Sequence, residues 1–150
     1  MGTITEYMRH EHRNCDELLA LTEISIGKQE WDEAAVCFRV FSEATLRHFA
    51  AEEDVLFPAF EEATGNASGP TSVMRAEHIK IRDMLIQLNA SMTTRNAKQF
   101  LGDAETLYIM LQQHNMKEEG ILYQMAEQVL RDTKEDIMAA IRHTNAMTGA

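Results

Sequence analysis

His48-Phe49-Ala50-Ala51-Glu52-Glu53-Asp54-Val55-Leu56-Phe57-Pro58 is the stretch on which the fold turns. On an α-helix, residues four apart lie nearly one above the other, so His48 and Glu52 point at one object. A metal ion is the natural candidate, because the imidazole brings a neutral nitrogen and the carboxylate brings oxygens that bind one ion or bridge two. A solvated surface pair is the commoner meaning of this spacing. What sets that meaning aside is a second copy.

The second copy is His114-Asn115-Met116-Lys117-Glu118-Glu119-Gly120-Ile121-Leu122-Tyr123, in which His, Glu-Glu, Leu and an aromatic recur 66 positions later. The same offset carries Met8, Arg9, Glu11 and His12 onto Met74, Arg75, Glu77 and His78. His12 and His48 are 36 positions apart, as are His78 and His114. A register that aligns four of the six histidines and both Glu-Glu pairs marks an internal duplication of a helical hairpin.

The 150 residues suit one domain spanning 1–150 with a real core. A net charge of −10 without a Lys/Arg cluster argues against nucleic acid as a partner. Ten Met beside 7 Gly and 2 Pro fit long helices and short loops, so the expected class is all-α. Cys15 and Cys37 are too few for a disulfide framework and are expected to pack as small apolar residues. The first residues hold no signal-peptide pattern and no apolar run of membrane-spanning length is present. No membrane partner and a cytoplasmic location are the expectations.

Helix by helix, the first segment is expected from Thr3 or Thr5, either of which serves as N-cap, to about Ile26, with Gly27 as the stop. Met8, His12, Cys15, Leu18, Leu19 and Thr22 form its core stripe, while His10 faces outward. The second is expected from Trp31 or Asp32 to about Thr64, with Val36, Val40, Phe41, Ala44, His48, Ala51, Glu52 and Val55 on or beside one face. Pro58 should kink it beyond the metal-facing residues. Glu53 and Glu119, one position past Glu52 and Glu118, are expected in solvent. Thr64-Gly65-Asn66-Ala67-Ser68-Gly69-Pro70 separates the two copies. The third helix covers about Thr71–Met92 with Met74, His78, Ile81, Leu85 and Leu88 inward. The fourth runs from the Thr93–Asn96 link to about Leu130 with Phe100, Ala104, Leu107, Leu111, His114 and Glu118 inward. A short additional helix, about 132–143, closes the chain, with Ile137 and Ile141 packing and an outward apolar stripe suited to a homodimer. His143 has no role.

Short links within each copy favour antiparallel neighbours, giving an up-down-up-down four-helix bundle over about residues 3–130. Four such helices bring His12, His48, His78 and His114 inward with Glu52 and Glu118. Two metal ions account for that set: each takes two histidines, both glutamates bridge, and the bridging charge offsets part of the ions' own. Iron, or manganese, fits nitrogen and carboxylate ligation with open positions better than zinc, which favours closed tetrahedral sites.

This arrangement of a His on the first helix, His-x-x-x-Glu on the second, a His on the third and His-x-x-x-Glu on the fourth resembles the hemerythrin-like, or HHE cation-binding, family. The resemblance implies a non-haem di-iron centre in a four-helix bundle. His12, His48, His78 and His114 would be its terminal ligands, with Glu52 and Glu118 bridging. One position departs. Oxygen-carrying hemerythrins have a second histidine on the third helix, one turn before the first, and here that place is Met74. A thioether is a poor ligand for iron, so Met74 is expected to line the pocket and leave one more open position. Glu77 or Glu11 swinging in as a substitute is the lesser alternative, since each lies about 100° off the ligand face.

The function expected first is binding or sensing of dioxygen or nitric oxide, with Phe41, Leu107, Leu111 and Met74 as an apolar wall. A second expectation is iron supply, because the chain also resembles di-iron proteins of the family associated with iron–sulfur repair. Those usually carry a further N-terminal domain with a cysteine motif that these residues do not contain. A di-iron oxidase or peroxidase is the third, disfavoured by the histidine-rich ligand set.

Overall fold

The structure is a computed structural model that describes residues 2–148, with side chains through residue 146. Among the described residues there is no β-strand. The helices are α1 (Ile4–Gly27), α2 (Trp31–Ala51), α3 (Phe57–Thr64), α4 (Pro70–Thr93), α5 (Ala97–Lys117), α6 (Tyr123–Val129) and α7 (Lys134–Thr148). A π-helical turn over Glu52–Leu56 joins α2 to α3 without a break, and a second over Glu118–Leu122 joins α5 to α6. A 3₁₀ turn, Arg131–Thr133, leads into α7.

The ends of these helices follow local chemistry. Thr3 rather than Thr5 caps α1: its hydroxyl accepts from the Glu6 amide while the Glu6 carboxylate accepts from the Thr3 amide, each at 3.0 Å. Thr5 instead is buried and donates to Glu127. Gly27 stays helical, and the reversal falls to Gln29, whose φ of 59° is left-handed. Its counterpart 66 positions on, Arg95, has φ 54°. The duplication therefore extends to the backbone of both hairpin turns. Asn96 caps α5 through the Gln99 amide. Pro70, with no amide hydrogen to leave unpaired, opens α4 one residue before the expected start.

α1 packs along α2 and α4 along α5; α1 also meets α5 and α6, α2 meets α4, and α3 meets α6. Two apolar clusters fill the interior. One holds Leu19, Ile26, Phe38, Phe41, Phe49, Ile81, Leu85, Leu88, Phe100, Leu107 and Leu111, next to the hairpin turns. The other holds Ile4, Met8, Leu56, Phe57, Phe60, Met74, Leu122, Tyr123, Leu130, Met138 and Ile141. The polar residues of the site lie between them.

Three expectations need correction. On α2 the inward stripe is Ala34, Phe38, Phe41, Thr45, His48, and Val36 and Val40 are exposed. The 4-3-4-3 spacing of that stripe matches Phe100, Ala104, Leu107, Leu111, His114 on α5 at the duplication offset. The helix irregularity attributed to Pro58 begins at Glu52, inside the ligand-bearing turn, and recurs at Glu118 where no proline follows. The last helix starts two residues later than expected and extends to Thr148. It lies on α2 and on the Glu52–Leu56 turn, burying Met138 and Ile141 with Ile137 beside them. Cys15 packs against the first cluster, and both cysteines are thiols. No described helix is long and apolar enough to cross a membrane.

Candidate metal centre

All six residues singled out from the sequence meet in the interior. His12, His48, Glu52, His78, His114 and Glu118 are buried, Glu52, His78 and Glu118 completely. His12 comes from α1, His48 from the last turn of α2, His78 from α4 and His114 from the last turn of α5; Glu52 and Glu118 open the two π turns.

The imidazoles fall into two pairs that follow the duplication. His12 Nε2 lies 3.0 Å from His48 Nε2. The rings of His78 and His114 have centroids 5.0 Å apart. Glu118 divides its oxygens between the pairs, Oε1 lying 3.2 Å from His12 Nε2 and Oε2 3.3 Å from His114 Nε2. Glu52 Oε1 lies 3.2 Å from His78 Nε2 and 3.5 Å from His48 Nε2. Two groups of potential ligand atoms result, each within a 4.8 Å spread: Glu52, His78, His114 and Glu118, and His12, His48 and Glu118.

Four further carboxylates hold the imidazoles from outside. His12 Nδ1 is 2.7 Å from Glu119, His48 Nδ1 2.9 Å from Glu11, His78 Nδ1 2.6 Å from Glu53 and His114 Nδ1 2.7 Å from Glu77. Each contact has its mate at the 66-residue offset. A carboxylate accepts only, so the Nδ1 proton is fixed toward it and the Nε2 lone pair turns inward. Each carboxylate is anchored in turn: Glu119 by Arg9, Glu53 by both Arg82 amino groups, Glu77 by Lys117 and Glu11 by Asn145 on α7. Burial raises the pKa of Glu53, Glu77 and Glu119, but these partners outweigh it and hold all three below the usual carboxylate value.

Sequence reasoning missed this outer ring. It placed Glu53 and Glu119 in solvent and gave Glu11 and Glu77 no part beyond the lesser alternative of a substitute ligand, yet all four reach the Nδ1 edge of a histidine on a neighbouring helix. The signal was present, since the duplication carries Glu11 onto Glu77 and Glu53 onto Glu119. It also missed Tyr123, a buried phenol that donates to Glu52 Oε2 at 2.6 Å and to Glu118 Oε1 at 2.9 Å. Burial and the two carboxylates push that phenol well above its ordinary pKa. Two aromatic rings beside His78 were missed too. Phe49 stacks on His78 with centroids 3.7 Å apart and Phe57 covers the ring at 5.7 Å; Phe41, Leu107 and Leu111 share the cluster of Phe49, and Met74 shares that of Phe57.

The interior demands positive charge. Glu52 Oε1, Glu118 Oε2, His78 Nε2 and His114 Nε2 are buried with no hydrogen-bond partner among the described residues. With Nδ1 protonated, each facing Nε2 and carboxylate oxygen are both acceptors, an arrangement that costs several kcal/mol unless a proton or cation lies between them. Without a metal, protons take that place. Burial lowers the basicity of His48, yet Glu52, Glu11 and Glu118 raise its pKa to about 9; His114 reaches about 9 through Glu118, Glu52 and Glu77 against the same burial. Burial and the Glu118 charge push Glu52 up, while the proximity of Glu52 and of the His114 and His12 imidazoles holds Glu118 well below its ordinary value against its own burial. The donor set of imidazole nitrogens and carboxylate oxygens is one that divalent transition ions accept.

The family description "Hemerythrin HHE cation binding domain" matches residues 3–126. The chain belongs to the hemerythrin HHE cation-binding family. No curated protein and no solved structure matches it. Every residue of the HHE cluster and of its outer ring falls within the matched segment, whereas α7 and Asn145 lie beyond it. The buried His/Glu cluster could hold a cation of the kind the family description names, on an all-helical fold.

Proposed function

We propose that this hemerythrin-like domain is a non-haem di-iron protein that binds or senses a small diatomic molecule, dioxygen or nitric oxide. The bundle would be of the up-down-up-down four-helix type, with residues 1–150 as one domain. His12 and His48 would hold one ion and His78 and His114 the other, with Glu52 and Glu118 bridging. The observation that carries this reading is the pair of facing acceptor sets, with four buried atoms left without a hydrogen bond. Iron held in this way supplies a coordination position at which a diatomic ligand binds and leaves. The residues themselves fix the imidazole tautomers and exclude water, with Phe49 and Phe57 flanking His78. A surface cleft of about 160 Å³, lined by Glu77, Ile81, Met110, His114 and Lys117 among others, reaches the edge of His114 and offers a short path for a small molecule.

The test is metal content per chain after anaerobic ferrous loading, with absorption spectra before and after oxygen is admitted. Two irons and a reversible oxygen-dependent band are expected. A single zinc, or iron that oxidises irreversibly and passes to a chelator, refutes the binding role.

A further inference from the structure

Inside the site the internal repeat breaks at two rings, Phe49, whose mate is Asn115, and Tyr123. Tyr123 on α6 corresponds to Phe57 on α3, so one hydroxyl has no mate. Tyr123 is completely buried. Its Oη lies 2.6 Å from Glu52 Oε2, 2.9 Å from Glu118 Oε1 and 3.3 Å from His12 Nε2. Similar spacings separate the neighbouring donor atoms on that side, 3.2 Å from His12 Nε2 to Glu118 Oε1 and 3.0 Å from His12 Nε2 to His48 Nε2. Donor atoms that share one ion at about 2.1 Å stand about 3 Å from their neighbours when the bonds are at right angles. Tyr123 Oη meets three such atoms, and two of them, His12 Nε2 and Glu118 Oε1, belong to the group of His12 and His48.

We infer that Tyr123 is a seventh protein ligand, an oxygen donor to the ion held by His12, His48 and the two carboxylates, without a counterpart on the ion of His78 and His114. The inference rests on the two-metal reading above. In the metal-free chain the O–H donates to Glu52 and Glu118. When the ion binds, the O–H bond breaks, the proton leaves by way of those carboxylates to solvent, and the oxygen lone pair forms the metal–oxygen bond. No electron is transferred. A hard anionic oxygen suits a trivalent ion, and the charge of that ion reverses the balance that keeps the phenol protonated. The two ions are then chemically unlike, one with two imidazoles and a phenolate and the other with two imidazoles beside Met74, which is buried in the neighbouring apolar cluster.

The test uses the full chain loaded with iron, brought to the ferric state and checked for metal content. The unsubstituted protein is expected to show a visible phenolate-to-iron charge-transfer band and, on excitation into it, enhanced tyrosinate ring vibrations in the Raman spectrum. Tyr123→Phe is expected to hold the same number of ions per chain and to lose both signals; a Phe already occupies the equivalent place at position 57. The chain has three tyrosines, so the double variant Tyr7→Phe, Tyr108→Phe is expected to keep both signals and assigns them even if Tyr123→Phe folds poorly. Two ions per chain without tyrosinate vibrations, or vibrations that survive Tyr123→Phe, overturn the ligand assignment alone. A chain that takes up no metal overturns the two-metal reading together with it.

Discussion

Substituting Glu53 by Gln isolates the contribution of the outer carboxylates without removing any candidate ligand. Glu53 accepts from His78 Nδ1 at 2.6 Å and from both amino groups of Arg82 at 2.8 and 2.9 Å. The amide keeps the shape and one neutral hydrogen bond but loses the charge, and a hydrogen bond to a charged group is worth about 1.5–3 kcal/mol against about 1 for a neutral one. Part of that difference makes His78 Nε2 a better donor, so the affinity for the ion held by His78 and His114 should fall about 10- to 100-fold, or about 1.4–2.7 kcal/mol. Glu119→Gln makes the equivalent change at His12 and should weaken the other ion by a similar factor. Glu62→Gln, at an exposed position of α3, is the control. Competition against chelators of graded strength, with anaerobic ferrous or manganous ion, resolves two successive affinities. An unchanged pair of affinities in both Glu53→Gln and Glu119→Gln, within about threefold, would mean that the outer carboxylates do not support ligation and would refute the reasoning.

His48→Ala and Glu118→Ala each remove an atom set that no neighbour replaces, and metal analysis should show loss of bound ion; full occupancy in both would sink the ligand assignment. Metal uptake should release protons. With His48 and His114 at about 9, both imidazoles carry an inward proton at pH 7, so loading should expel these two, with the phenol proton of Tyr123 in addition where it ligates, and apparent affinity should rise with pH up to about 9. Calorimetry in buffers of different ionisation heat counts them. By the same linkage those two imidazoles, raised from 6.5, stabilise the metal-free chain fully below about pH 6.5 and lose that contribution as pH climbs to 9, which urea unfolding at several pH values checks. Thr3→Ala removes the hydroxyl that accepts from the Glu6 amide, while the Thr3 amide still donates to the Glu6 carboxylate, and should lower stability by about 1 kcal/mol in a denaturation curve.

How far the sequence could be read depended on which periodicity each residue obeys. The six inward residues and the helices that carry them were legible because His and Glu-Glu recur at one offset, and a repeat needs no assumption about helix geometry. Glu11, Glu53, Glu77 and Glu119 were not, because their angle was judged against the core face of their own helix while their target is the flank of a histidine on the next. Tyr123 was missed for another reason. At about 100° per residue it falls roughly 140° from Glu118, whereas the π turn bonds the Tyr123 amide to the Glu118 carbonyl and brings the fifth residue round over the first. Val36 and Val40 were assigned inward for their hydropathy; the 4-3 spacing of Ala34, Phe38, Phe41 and Thr45 was the better guide. α7 was placed correctly in outline, but nothing local marks Asn145 as reaching Tyr7 and Glu11 across the fold.

Arg9, Arg82 and Lys117 are each more than a third exposed at the side chain, yet each grips a carboxylate whose other face grips a site histidine. Such a relay works like a tuning peg on the outside of a closed box. Neutralising any one of the three should change how strongly the imidazole inside donates, and at Arg82 it would also remove the guanidinium that lies 5.4 Å over the Phe49 ring. Drift at these three surface positions is therefore not silent: it retunes the centre one histidine at a time, and homologous chains with the same interior can differ in behaviour through their rims alone. The fourth relay ends in an amide, Asn145, so His48 is the one imidazole whose setting depends on the last helix being docked.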